Sequence, residues 1–259
     1  MSETLEKKTP AVFLKNVTRQ GNKNDYDSAE LKNISFSFEK KGVHCILAPK
    51  GSGKTQLMDI LAGSSAVEEG TVEISGRSPY GNVDVKRNIG YLRQENSLYS
   101  NMTAFEIMSF VGETKKIDQG KLYRQIKEAF ELVGLDELKN KLVSNLTEYD
   151  KKKLSLAAAL LGNPELLLLD EPITARMTVE RREELKSIIS MLGRIKTVVV
   201  TTDSVSVTRE LCKDVVILSD GRVLATGELE DIDRRLADSE NPTTLETLYN
   251  SLSLGVNDR

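Results

Sequence analysis

The chain has 259 residues, 39% hydrophobic and 29% charged, a globular balance that needs no metal or disulfide staple to close a core. Lys and Arg number 36 against 39 Asp and Glu, a formal net charge of −3, which argues against binding nucleic acid through bulk positive charge. Cys45 and Cys212 supply no disulfide framework and suit a reducing compartment, His44 as the one histidine excludes a His-rich metal site, and no apolar run approaches the roughly 20 residues of a spanning helix. With a polar N-terminal segment (1–10) that lacks an apolar signal core, the expectation is a soluble cytoplasmic protein.

Short apolar runs alternate with helical patterns, which predicts an α/β protein with a largely parallel sheet. Residues 31–38 alternate with period two, and Ile34, Phe36 and Phe38 share one face. Residues 43–48 are continuously apolar, as in a central strand, and residues 53–62 read as a helix stopped by Gly63. Residues 71–75 and 89–92 are further short strands. From 101 to 161 the pattern is helical. Thr103 and Glu106 have capping-box spacing, Leu122, Ile126, Phe130 and Val133 recur at helical intervals, and Gly134 stands at a C-cap. Residues 151–161 form another helix, and the run Lys151, Lys152, Lys153 reads as its solvated face. Strands follow at 166–169 and 197–201, with a charged helix at 178–192 between them. Residues 215–218 and 223–225 flank Asp220-Gly221, a hairpin signal. The tail carries two weakly amphipathic segments.

Two elements carry chemistry. Ala48-Pro49-Lys50-Gly51-Ser52-Gly53-Lys54-Thr55 nearly matches the phosphate-binding loop G-x-x-x-x-G-K-[ST]. Gly51 and Gly53 let the backbone approach a polyphosphate, the helix start adds its positive end, Lys54 reaches the β- and γ-phosphates, and Thr55 ligates Mg²⁺. The expected nucleotide contacts are Lys50, Gly51, Ser52, Gly53, Lys54, Thr55 and Gln56. Ala48 replaces the opening glycine, which is costly only if that position needs positive φ. The second element is the run Leu166-Leu167-Leu168-Leu169-Asp170-Glu171. Here Asp170 would hold the Mg²⁺ shell and Glu171 would polarise an attacking water.

With both elements in this order, the chain resembles the ATP-binding cassette (ABC) transporter ATPases over residues 11–226. Residues 166–172 match that family's Walker B, and Gly90-Tyr91-Leu92-Arg93-Gln94-Glu95 resembles its Q-loop, whose glutamine senses Mg²⁺ and the γ-phosphate. Residues 98–107 resemble the entry to the family's helical subdomain, and residues 214–223 its closing hairpin. The resemblance implies a P-loop NTPase core (11–94 and 163–226) with an antiparallel β subdomain, an inserted helical subdomain (95–162) and a helical tail (227–259). It implies ATP and Mg²⁺ as cofactors, Glu171 and Gln94 as catalytic residues, and Thr55, Gln94 and Asp170 as metal ligands. It further implies a separate transmembrane subunit and a peripheral place on the inner face of the membrane, with no nucleic-acid partner. Residues 241–249 resemble the end of subunits serving two-component exporters.

Three departures from the family pattern bear on mechanism. L-S-G-G-Q is replaced by Leu146-Thr147-Glu148-Tyr149-Asp150, the switch histidine by Thr202, and S-G-L-D by Thr174-Ala175-Arg176-Met177. Because the family's signature loop caps ATP held by the opposite subunit, the pattern implies a second ATPase chain with an intact signature and weak or asymmetric hydrolysis. A non-hydrolysing regulatory or assembly subunit is the alternative. Tyr26 is the candidate for stacking on adenine.

Overall fold

The computed structural model describes residues 9–21, 29–95, 98–239 and 242–257. Tyr26 lies outside them.

Three strands, β1 (Val12–Arg19), β2 (Leu31–Phe38) and β4 (Glu69–Ile74), form an antiparallel sheet in the order β2-β1-β4. The core strands are β3 (Gly42–Leu47), β5 (Ile89–Leu92), β6 (Leu166–Asp170), β7 (Thr197–Thr202), β8 (Asp214–Ser219) and β9 (Arg222–Glu228). They form a second sheet, β5-β6-β7-β3-β8-β9, parallel except for the β8–β9 hairpin. This agrees with the expected ABC-type α/β architecture. Among the described residues no helix is long and apolar enough to cross a membrane.

Strand β1 escapes a period-two reading for a physical reason. Its inward residues Val12, Leu14 and Val17 change phase at Asn16, whose φ is 54°, because the ladder shifts register there. A bulge of this kind moves every later side chain to the other face. The β8–β9 turn is as predicted: Asp220 and Gly221 have φ of 46° and 68°. A Cβ on Gly221 would stand 1.7 Å from the carbonyl oxygen of Glu30, so only glycine fits.

Two apolar clusters hold the sheets. Ile46, Leu168, Val199 and Val216 face the antiparallel sheet and helix α1 (Lys54–Leu61), while Leu47, Leu169, Val200 and Ile217 face the opposite layer. After the short helix α2 (Val83–Arg87), the helical region comprises α3 (Ala104–Thr114), α4 (Gln119–Val133) and α5 (Glu148–Leu160). Thr103 and Glu106 make the expected capping box, and Gly134 caps α4 at φ 62°. Helix α5 starts at Glu148 rather than 151, because Thr147 Oγ1 accepts from the Asp150 amide at 3.1 Å. The lysine run corrects the expectation of a solvated face. Lys152 and Lys153 are 7% and 6% exposed, and both ammonium groups have polar partners, Gln94 O and Glu184 Oε1.

Helix α6 (Val179–Gly193) covers β3 and β7, and α7 (Val205–Leu211) follows β7. The tail forms α8 (Leu229–Ala237) and α9 (Leu245–Asn257), pinned by Arg209, which bonds Asp233 and Glu246. The cysteines also differ from expectation. Cys45 on β3 and Cys212 at the end of α7 are disulfide-bonded, with Cα atoms 5.9 Å apart across 167 residues of sequence. His44 is a buried sheet residue stacked on Phe38 at 4.7 Å.

Candidate functional site

The phosphate-binding loop leaves the C-terminal end of β3 and turns into α1. Gly51 and Gly53 have φ of 73° and 88°, and a Cβ on Gly53 would come within 2.8 Å of Leu31 Cδ2. Both glycines are therefore dictated by backbone geometry. Ala48 is not among the positive-φ residues. It is buried and donates its amide to Thr202 O at 3.0 Å. The departure at the first loop position thus costs no backbone strain.

The neighbouring strand β6 ends at Asp170, beside the loop. Thr55 Oγ1 donates to Asp170 Oδ2 at 2.9 Å and lies 3.4 Å from Gln94 Oε1. Gln94 Nε2 donates to Glu171 Oε2 at 3.1 Å. Lys54 Nζ donates to Ala48 O at 2.9 Å and pairs with Glu171 Oε1 at 2.6 Å. Five residues expected from the sequence, Lys54, Thr55, Gln94, Asp170 and Glu171, are therefore joined by direct contacts. Glu171 has φ 45°, a left-handed conformation that costs a non-glycine residue about 1 kcal/mol or more. The fold holds the carboxylate there by tying its amide to Thr201 Oγ1 at 2.9 Å.

Of the other expected contacts, Ser52 is 1% exposed, and its hydroxyl has no hydrogen-bond partner among the described residues. Lys50 is exposed at the loop's outer edge. Gln56 Nε2 is committed to Gln20 O at 3.0 Å. Two supporting residues were not anticipated. Thr201 hydrogen-bonds both acidic residues, since its hydroxyl also donates to Asp170 Oδ1. Its signal is the register that sets Asp170 against Thr201 across β6 and β7. Lys152 Nζ donates to Gln94 O at 2.9 Å and so anchors the glutamine's backbone; its place in a run of three lysines hid it.

Burial raises the Asp170 carboxyl above its ordinary pKa, against the hydrogen bonds from Thr201 and Thr55. Burial likewise lowers the Lys152 ammonium, opposed by Asp170 and Glu171. Two cations, Lys54 and Lys152, and two carboxylates, Asp170 and Glu171, are thus buried beside the exposed Gln94, and Lys54–Glu171 is the one ion pair among them that a charged ligand would displace. No group of three or more His, Cys, Asp or Glu side chains among the described residues forms a metal site. The adjacent oxygens of Thr55, Gln94 and Asp170 are hard donors suited to Mg²⁺ with retained waters. The unpartnered Ser52 hydroxyl beside inward-turned glycines suits an anionic oxygen.

At the N-terminus of α5 the chain satisfies itself. Thr147 Oγ1 donates to Asp150 Oδ2 at 2.7 Å, and Lys151 pairs with Glu148 at 2.7 Å. Tyr149 is turned inward, donating to Glu184 Oε2 at 2.8 Å, with the Arg181 guanidinium 4.9 Å from its ring centre. Glu148 has its side chain 81% exposed, and Thr147 beside it is exposed as well. Thr202 closes β7, 1% exposed, with its Oγ1 accepting from the Ser204 amide at 3.1 Å.

A family model described as ABC transporter matches residues 31–174. The ABC transporter ATP-binding protein YxlF of Bacillus subtilis is 33% identical over 202 residues, covering 78% of this chain and 67% of that protein. The sulfate/thiosulfate import ATP-binding protein CysA of Mesostigma viride is 32% identical, covering 78% of this chain and 58% of that protein. ABC transporter A family member 11 of Dictyostelium discoideum is 32% identical over 226 residues, but the chain spans only 27% of its length. Among solved structures, the ATP-binding cassette MJ0796, a dimer in a post-hydrolysis state bound to ADP and Pi, superposes with TM-score 0.74 at 25% identity. That match covers 84% of this chain and 98% of the other.

Proposed function

The chain belongs to the ABC transporter family, and from that membership we propose that it is an ATP-binding subunit that couples MgATP to a separate membrane subunit. The observation that supports this reading best is the connected set Lys54–Glu171–Gln94–Thr55–Asp170 at the mouth of the phosphate-binding loop. ATP would bind with its phosphates over Gly51, Ser52 and Gly53. Lys54 would then leave Glu171 for the phosphate oxygens. Thr55, Gln94 and Asp170 would hold Mg²⁺, which when bound neutralises phosphate charge and orients the terminal phosphoryl group. Released from Lys54, Glu171 stands next to Gln94 and can take a proton from water as general base.

Hydrolysis would be asymmetric. In a head-to-tail pair of identical chains, each nucleotide would meet the exposed Glu148 and the self-bonded Thr147–Asp150 turn. An unpaired carboxylate about 4 Å from a phosphate costs roughly 4 kcal/mol per charge pair at an effective dielectric near 20, and the Lys151 ammonium paired with Glu148 offsets part of that. A second ATPase chain with an intact signature would remove that cost at the site built on Lys54. Thr202, short and already bonded to Ser204, favours slow turnover there, and in the limit a regulatory subunit that binds ATP without hydrolysing it. Export is the direction suggested by residues 241–249. The import relatives share the cassette, and substrate choice belongs to the membrane partner. The subunit would lie on the cytoplasmic face through that partner.

The test is ATPase rate for this chain alone, for its complex with a second ATPase, and for that complex carrying Glu171→Gln here. The expected order is background, clearly above background, and reduced. Robust turnover by the isolated chain would sink the asymmetric reading.

A further inference from the structure

At the opposite end of the strands from the phosphate-binding loop lies a cavity of about 360 Å³. It opens where β3, β6 and β7 begin and where the turn after β4 meets them. Six residues of β3 separate it from the loop, a span of about 20 Å at 3.3 Å per residue. Its floor is apolar: Ile74, Val85 and Leu166 are each at most 5% exposed. Its rim carries Lys40, Lys41, Arg77 and Lys196 against a single acid, Glu165. None of the four cations has a carboxylate within 4.0 Å among the described residues. The local excess of three positive charges stands on a chain whose net charge is −3.

Two details show that the rim is built rather than merely solvated. Lys196 Nζ is held by neutral acceptors, Asn163 Oδ1 at 2.5 Å and Pro164 O at 2.8 Å. This positions the ammonium, leaves its charge uncompensated and keeps its third N–H for a ligand. Burial lowers its pKa, with only Glu165 opposing. Second, three of the eight described non-glycine residues with positive φ line this one cavity: Lys41, Ser75 and Asn163, at 60°, 48° and 51°. Lys41 is locked in place by its amide, which donates to Thr197 Oγ1 at 2.9 Å. Ser75 and Gly76 form the two-residue turn closed by reciprocal backbone bonds between Ile74 and Arg77, at 2.8 and 3.1 Å, which fixes the base of the Arg77 side chain at the rim.

We infer that this cavity is a second ligand site, separate from the nucleotide site, for a small organic anion with an apolar body. The body would lie on Ile74, Val85 and Leu166, and the anionic group would reach Lys196 and Arg77. The volume falls at the lower end of small-molecule pockets.

The probe is 8-anilinonaphthalene-1-sulfonate, an aromatic body bearing one sulfonate, titrated into the full chain by fluorescence with and without saturating MgATP. One saturable site is expected, undisturbed by MgATP. Arg77→Gln with Lys196→Gln should weaken binding at least tenfold, and Lys139→Gln with Lys141→Gln should leave it unchanged. Because Lys196 also ties down Asn163, the exposed single change Arg77→Gln is run alone and should weaken binding severalfold. Methyl NMR of Ile, Leu and Val supplies the location: Ile74, Val85 and Leu166 should shift on addition of the dye. Equal affinity in wild type and Arg77→Gln, displacement by MgATP, absence of saturable binding at millimolar dye, or methyl shifts confined to other regions would each overturn the inference.

Discussion

The ion pair between Lys54 and Glu171 makes a thermodynamic prediction for Glu171→Gln. At 2.6 Å, two opposite charges attract with about 6 kcal/mol at an effective dielectric near 20. Most of that attraction offsets desolvation, since the two side chains are only 6% and 10% exposed. Glutamine still accepts from Lys54 through its carbonyl, so the loss is the charge component of one charge-assisted bond, about 2 kcal/mol. The nucleotide-free protein should therefore melt roughly 4–8 °C lower, taking 2–4 °C per kcal/mol for a chain of this size. MgATP binding already breaks this pair, so the bound state is not destabilised to the same extent. The same 2 kcal/mol should then appear as about 30-fold tighter MgATP binding. The measurements are thermal unfolding with and without saturating MgATP and calorimetric titration of nucleotide. The two effects must balance: what the apo protein loses in stability, nucleotide binding gains. Unchanged melting together with unchanged affinity would refute the claim that Glu171 is the internal counter-ion of Lys54. Weaker MgATP binding would refute it too, and would place Glu171 among the ligands of the bound metal.

Two further outcomes are expected. Thr202→His should raise turnover of the assembled complex more than tenfold, because a donor to the transferring phosphoryl group is worth roughly 10²–10³; Ala48→Gly should give no gain, since Ala48 needs no positive φ, and steady-state rates rank the two. Burial holds the His44 imidazole below its ordinary 6.5 even though Asp214 Oδ2 lies 3.2 Å away. The unfolded chain therefore takes up this proton first, and the stability His44 contributes is complete above about 6.5 and lost as pH falls toward its folded value. Melting temperature should consequently fall less between pH 7.5 and 5.5 for His44→Gln than for the native chain; equal slopes would contradict the sign.

What the linear sequence determined was local in kind. The loop ending in Lys54 and Thr55, the run ending in Asp170 and Glu171, the capping box at Thr103 and the Asp220-Gly221 turn each depend on neighbours within a few residues. Spacing and φ preference therefore sufficed to read them. Convergence was a matter for the tertiary structure. Thr55 meets Asp170 across 115 residues because α1 starts and β6 ends at the same edge of the sheet. Strand β1 was hidden because its bulge at Asn16 breaks the alternation that marks a strand. Lys152 and Lys153 read as solvated because a run of lysines is polar wherever it lies. Only packing of α5 against the glutamine segment and α6 buries them and gives their ammonium groups partners. The bond from Cys45 to Cys212 and the cationic rim of Lys40, Lys41, Arg77 and Lys196 have no sequence signature at all. They exist because elements distant in sequence pack together: the end of α7 meets β3 at Cys45, and the turn after β4 meets the starts of β3 and β7, placements set by the packing of whole elements rather than by any short stretch of chain.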